Sequence, residues 1–231
     1  MKEESLSRQS WLIVIIAALG YFVDIYDLIL FNVIKRDSLL SLGIHDPVAL
    51  KNTGIQLFNW QMGGMLVGGM LWGILGDKKG RIKVLFGSIL MYSAANVANA
   101  FVTDIPTYAL VRFIAGIGLA GELGAGITLV TEVMSKENRG YGTMIIVTFG
   151  ALGAVLAAFV GGEEYVADLT GNQKGIAGLL QEMSGTALEN WQIAYIIGGV
   201  LGLLLLLLRV GTLESAMFSN LHRSEVKKGD F

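Results

Sequence analysis

The 231-residue chain carries 17 Lys and Arg against 19 Asp and Glu, for a formal net charge of −2, with 53% of its positions hydrophobic and only 16% charged. A water-soluble chain of this size carries about 25% charged residues, and a mean hydropathy of +0.60 puts this one in the membrane class. Disulfides and thiolate metal sites are excluded because there is no cysteine, and the two histidines, His45 and His222, are expected in loops rather than in a buried metal centre.

Apolar runs of roughly 20 residues recur, the length a helix needs to cross a ~30 Å hydrocarbon core. Six are read in chain order, at residues 11–34, 54–75, 82–102, 105–134, 141–161 and 191–208. Residues 1–10 precede them, and 209–231 read as a polar tail or the start of an interdomain linker. The first run is too long for a signal-peptide core and has no small-residue cleavage site after it, so it is expected to stay as a helix. Thirty-one glycines against two prolines fit helices that approach closely through small residues, since lipid gives helix pairing no hydrophobic drive.

The connections differ in kind. Residues 35–53 read as a longer loop containing Gly43, Asp46 and Pro47. Residues 103–106 form a tight turn, with Pro106 placed in the first turn of the fourth span. Residues 162–190 are acidic, and within them Ile176, Leu179, Leu180 and Met183 recur at i, i+3, i+4 and i+7. That spacing predicts a short amphipathic helix on the outer membrane surface, with a mobile acidic loop as the alternative. With the N-terminus inside, twelve of the 17 basic residues fall on cytoplasmic segments, Arg209 among them, four fall outside, and Arg112 lies within a span. Positive residues resist translocation, so both termini are expected in the cytoplasm.

The charges inside spans carry the functional reading. In Gly20-Tyr-Phe-Val-Asp24-Ile-Tyr-Asp27-Leu, the i, i+3 spacing puts both carboxylates on one helix face. A charged carboxylate near the bilayer centre costs several kcal/mol unless it meets water, a proton or a cation. Burial disfavours its ionised form and a second acid disfavours it further, so one of the pair is expected to hold a proton reversibly near neutral pH. The structural alternative is that each acid pairs with a buried base or caps a broken helix. In the fourth span Arg112 stays charged at any depth and must face a cavity or an anion, either a substrate carboxylate or one of these aspartates. A static buried salt bridge is its alternative reading. Glu122 lies ten residues on, about 15 Å along the helix, and is either a second proton acceptor or the partner of a base on another helix. Asn59, Gln61, Asn96 and Asn99 line the pathway or bond between helices, and Tyr21 and Tyr26 are candidate pocket aromatics. No nucleophile constellation, metal-ligand cluster or nucleotide loop points to an enzyme, and basic residues that border apolar runs do not point to nucleic acid.

Between the second and third spans, Gly73-Ile-Leu-Gly-Asp77-Lys-Lys-Gly80-Arg81-Ile-Lys83 packs five charges and three glycines into a short hinge. This G-x-L-x-D-x-x-G-R pattern resembles the loop between the second and third helices of major facilitator superfamily transporters. Arg112-Phe-Ile-Ala-Gly116 and Gly121-Glu122-Leu-Gly124 are similar to that family's fourth-helix motif and to its extension in metabolite–proton symporter and sugar-porter-like branches. Asp24-Ile-Tyr-Asp27 resembles the paired aspartates of aromatic-acid–proton symporters, which have Gly where Ile25 stands. Glu132-Val-Met-Ser-Lys-Glu-Asn-Arg139-Gly140 is similar to the E-x(6)-R-G of the next cytoplasmic loop. Together these marks cover residues 11 to about 218 and resemble the N-terminal six-helix half.

The resemblance implies an all-α membrane protein whose six transmembrane helices form two inverted three-helix repeats. It implies a secondary active transporter, or half of one, moving a small polar or anionic metabolite by proton-coupled symport and alternating access. A proton or other coupling cation is then the only cofactor. The expected partners are the small-molecule substrate, membrane lipid and a second six-helix half, either a C-terminal half or a second copy; nucleic acid is not among them. The expected location is the bacterial inner membrane. In the family, the residue equivalent to Asp77 packs on the other half and closes the cytoplasmic gate, and the equivalent of Arg81 pairs with an acid, here Glu132. Gly73, Gly80 and Arg139 complete that gate motif.

Two departures qualify the likeness. The second half is missing. The fifth span has Gly150, Gly153, Ala154, Ala157, Ala158 and Gly161 but no proline, so the drug–proton antiporter motif is absent and symport is favoured. A lone half is expected to expose the face of the first, second, fourth and fifth spans, where the charges would lie and need a second wall. A fragment of a longer chain is the simplest expectation. A non-transporting six-helix protein (a remnant, an assembly partner or a sensor) is the alternative.

Overall fold

Two aspartates mark where helices begin. Asp104 accepts the Thr107 backbone N–H at 2.9 Å and the Thr107 hydroxyl at 2.8 Å, while Asp46 accepts the Ala49 N–H at 2.7 Å. Each satisfies a donor that the first turn of a helix leaves orphaned. In the computed structural model, residues 8–79, 81–134, 138–162 and 175–226 are described. Side chains are described over a narrower set that leaves out 8–10, 12–13, 79, 81–83, 123–133 and 211–226.

The elements are α1 (Arg8–Ser41), α2 (Pro47–Lys79), α3 (Arg81–Asn99), α4 (Ile105–Val133), α5 (Arg139–Gly161), α6 (Ile176–Ser184) and α7 (Asn190–Val226). Among the described residues, Val14–Ser41, Arg139–Gly161 and Asn190–Val210 are each long and apolar enough to cross a membrane, and Val84–Asn99 is a shorter apolar helix.

Several boundaries differ from expectation. The first connection is a turn at 42–46, not a loop over 35–53, because Ser38 and Leu39 are fully buried and hold the last turns of α1 in the core. The Ser38 and Ser41 hydroxyls donate back to the Lys35 and Ser38 carbonyls at 3.0 and 3.1 Å. Gly43 closes the turn in the left-handed region, at φ +87°. α3 stops at Asn99, where Ala100 and Phe101 bond into a turn on Val97 and Ala98. α7 continues to Val226, well past 208, so His222 falls in a helix rather than a loop. The amphipathic segment is helical as α6. It docks on α5 and α7 through buried Ala177 and Gly178, leaving Ile176, Leu180 and Met183 outward. The acidic stretch 163–174 lies outside the described residues.

The long helices pack in matching pairs. α1 runs along α5 and α2 along α4, while α3 packs on α4 and on α7, and α1 packs on α7. Exchanging α1, α2, α3 for α4, α5, α7 turns the α1–α5 seam into α2–α4 and the α3–α4 seam into α1–α7. The long seams are built on glycine. A Cβ at Gly64 would strike the Phe113 carbonyl, one at Gly116 the Gln61 carbonyl, and one at Gly153 the Phe22 carbonyl. Backbones that close leave no room for lipid and gain dispersion contact instead. Trp72 Nε1 ties the α2–α4 seam further by donating to the Ile117 carbonyl at 2.6 Å. The largest apolar cluster, including Leu30, Phe31, Ile34, Leu39, Leu57 and Trp191, fills the end of the bundle nearest the α1–α2 turn.

Candidate functional site: two buried charge layers

Asp24, Asp27, Arg112 and Glu122 are all at most 1% exposed within this single chain. They lie inside the six-helix bundle, not on an open face of the first, second, fourth and fifth spans as expected. The reason is that α2, α3 and α7 send polar side chains inward to meet them, so no second wall is needed for cover.

The first layer is a relay between α1 and α4 through α2. Gln61 Nε2 donates to Asp27 Oδ2 at 3.5 Å, and Gln61 Oε1 accepts from Arg112 Nη2. A buried amide that donates to an anion and accepts from a cation satisfies both. The Asn96 amide of α3 lies beside the same aspartate. Arg112 is held from its other sides as well. Its Cζ sits 4.0 Å from the Phe31 ring centroid and 5.9 Å from that of Tyr195, cation–π distances. Its Nη1 faces the Tyr195 hydroxyl at 3.5 Å, which lies 2.6 Å from the Tyr108 hydroxyl; that hydroxyl in turn donates to Ser38 Oγ at 3.3 Å. Among the described residues, Asp27 Oδ1 and Arg112 Nε have no hydrogen-bond partner.

The second layer lies deeper along α4. Arg209 of α7 pairs with Glu122 at 2.8 Å, both side chains buried. Asp24 lies against the same Glu122 carboxyl, and the fully buried Tyr92 hydroxyl of α3 faces it. Gly20 of α1 makes the room, since a Cβ there would collide with both Arg209 and Glu122. Arg209, read from the sequence as the first residue past the sixth span, is 4% exposed because α7 does not end at Leu208.

The two aspartates therefore share a helix face but enter different networks, Asp27 with Arg112 and Asp24 with Glu122 and Arg209. Asn96 and Asn99 are both buried, and the Asn99 amide atoms have no hydrogen-bond partner among the described residues. Asn59 is exposed, Tyr21 packs on Gly150, and Tyr26 donates to the Ala194 carbonyl at 3.1 Å. Of the hinge motif, Gly73 and Asp77 are exposed. Gly80 and the side chains of Arg81 and Glu132 lie outside the described residues. Arg139 Nε donates to the Met134 carbonyl at 3.3 Å, bridging the α4–α5 turn. Sequence reasoning missed Tyr108, Tyr195 and the inward place of Arg209. Tyr108 stands four residues before Arg112, on the same helix face, which was an available signal. Among the described residues, no group of three or more His, Asp or Glu side chains is arranged to hold a metal ion.

Over 225 residues the chain is 28% identical to a 4-hydroxybenzoate transporter of Pseudomonas putida, covering 94% of this chain and 43% of that protein. Over 97 residues it is 37% identical to a niacin transporter of Acinetobacter baylyi, covering 42% and 22%. The chain spans less than half the length of the curated relatives it matches. Its fold superposes on the proton:xylose symporter XylE with a TM-score of 0.69 at 18% identity, over 89% of this chain and 45% of that one. Residues 11–223 match the family model described as Major Facilitator Superfamily, and the chain belongs to that family of membrane transporters.

Proposed function

We propose that this chain forms one six-helix half of a proton-coupled symporter in a bacterial inner membrane, carrying a small aromatic or heteroaromatic carboxylate. The observation that carries the reading is the buried Asp27–Gln61–Arg112 relay. With Asp27 ionised, Gln61 and Arg112 turn toward it. A proton on Asp27 removes the anion to which the guanidinium answers, and Arg112 then favours a substrate carboxylate as replacement. Proton and substrate binding thereby become linked through one fixed positive charge. The relatives named for 4-hydroxybenzoate, benzoate and niacin transport support the substrate class.

Six spans in two inverted three-helix repeats, with both termini cytoplasmic, are the arrangement this reading takes, and the exchange symmetry of the seams and the basic hinge at Lys78–Lys83 support it. On this reading Asp77 closes the cytoplasmic gate against the second half. Arg81 pairs with Glu132 behind it, and a double-mutant cycle on those two residues with no coupling energy would remove the pairing. The second half is a C-terminal half or another copy; the substrate approaches between the halves, and the relay that answers it lies just inside this one.

One observation favours the second reading, a non-transporting membrane protein. The charged side chains are buried inside this half, so it needs no partner to cover them. Mass measurement in nanodiscs, with uptake of labelled 4-hydroxybenzoate, benzoate and nicotinate on the same sample, separates the two. An assembly of two halves that accumulates substrate supports the symporter. A stable, inactive monomer that stays inactive when a second half is supplied supports the alternative.

A further inference from the structure

The relay at Asp27 leaves the second layer unused, and that layer has its own chemistry. We infer that Asp24, Glu122, Arg209 and Tyr92 form a second proton-binding site within this half, distinct from the site at Asp27. Three buried groups of fixed geometry carry it. Glu122 and Arg209 are paired at 2.8 Å, and Asp24 is pressed against that same carboxyl. Two carboxyls and one guanidinium leave one negative charge in excess, in a place where neither water nor lipid can balance it. Two ionised carboxylates are both acceptors and cannot bond to each other. A single proton resolves both problems. One carboxyl becomes a donor to the other, and the charge of the remaining carboxylate is met by Arg209.

An independent feature points to the same place. The Tyr92 hydroxyl is fully buried, has no hydrogen-bond partner among the described residues, and lies near this carboxyl pair. It is a spare buried donor close to whichever oxygen stays ionised. Gly202 of α7 and Gly20 of α1 clear the space, since a Cβ at either would run into Tyr92 or into Arg209. The charged and titratable groups facing the pair come from α1 (Asp24 and Asp27), α3 (Tyr92), α4 (Glu122) and α7 (Arg209). α2 and α5 carry no ionisable residue over 52–76 and 142–161. A proton is the ligand rather than a metal cation, because the guanidinium occupies the position a metal would take and repels it.

Infrared difference spectra of the chain in nanodiscs test this, using Asp27→Asn so that the relay cannot contribute. A protonated-carboxyl band should persist in that background, disappear on raising pH, and shift or vanish in Asp24→Asn/Asp27→Asn and in Glu122→Gln/Asp27→Asn. Both are isosteric changes, and either alone suffices if the other fails to fold. Added sodium should leave the band in place. Absence of any protonated-carboxyl band in Asp27→Asn would overturn the second site, as would its survival in both double variants. Replacement of the band by a carboxylate signal on adding sodium would assign the site to a metal cation instead. Failure here leaves the Asp27 reading standing, because that residue is absent from the measurement.

Discussion

Arg112 and Asp27 do not meet directly; Gln61 stands between them, accepting from one and donating to the other. A buried base and a buried acid held apart by an amide can change partners with little rearrangement, whereas a direct ion pair would first have to break. The amide also fixes where each charge points, because its donor and acceptor ends are not interchangeable.

Replacing Gln61 by Leu should therefore leave two buried charged groups with unmet hydrogen bonds. The expected loss is about 1–3 kcal/mol of stability, read by denaturant unfolding in a mild detergent. Asn59→Leu, two residues earlier on α2 and exposed, is the control. Equal losses in the two variants would show that Gln61 makes no special contribution.

The Arg209–Glu122 pair should behave as a buried ion pair. Arg209→Met should destabilise by about 3–5 kcal/mol because it strands an acid in the core. Adding Glu122→Gln should recover part of that loss. Strict additivity of the two changes in a double-mutant cycle would show that the pair is not coupled.

Helix approach at the α2–α4 seam should tolerate no side chain. Gly116→Val places its Cβ against the Gln61 backbone and should cost about 1–3 kcal/mol or more through overpacking. Gly69→Val, where nothing lies within 4 Å, should be close to neutral. A reversed order in thermal unfolding would contradict the packing described.

Asp104 gives a pH prediction outside the spans. Its hydrogen bonds from Thr107, backbone first, hold the carboxyl below the usual Asp range. A lowered native value means that the cap's stabilising contribution is present above the ordinary Asp range near ~3.9 and is lost as pH falls through the native value. The Tm difference between the wild-type chain and Asp104→Ala should be full at neutral pH and shrink on acidification. A difference that does not change with pH would mean the charge of the carboxylate does not contribute.

Much of this fold is legible in the sequence because the bilayer demands long apolar helices and Pro, Gly and Asp punctuate them. Asp104-Ile-Pro106 and the Lys78–Lys83 hinge mark their turns by local chemistry alone. The first connection misleads because its charged residues, Lys35 to Asp37, sit on a helix whose other face carries Ser38 and Leu39 into the core. The buried acids and Arg112 stand out as charges within apolar runs. Their partners do not, because which faces meet is decided by glycines on different helices far apart in sequence. Arg209 is the clearest case. Following a run of six leucines, it looks like an interfacial anchor, and only the Gly20 gap in α1 shows that it turns inward.

The most direct test of the account is proton movement driven by substrate in proteoliposomes holding this chain with its second half. On adding 4-hydroxybenzoate, benzoate or nicotinate, the outside medium should become more alkaline as substrate enters. Asp27→Asn should abolish that signal while counterflow exchange of the same substrate continues. Alkalinisation of unchanged size in Asp27→Asn would contradict the claim that Asp27 carries the coupled proton.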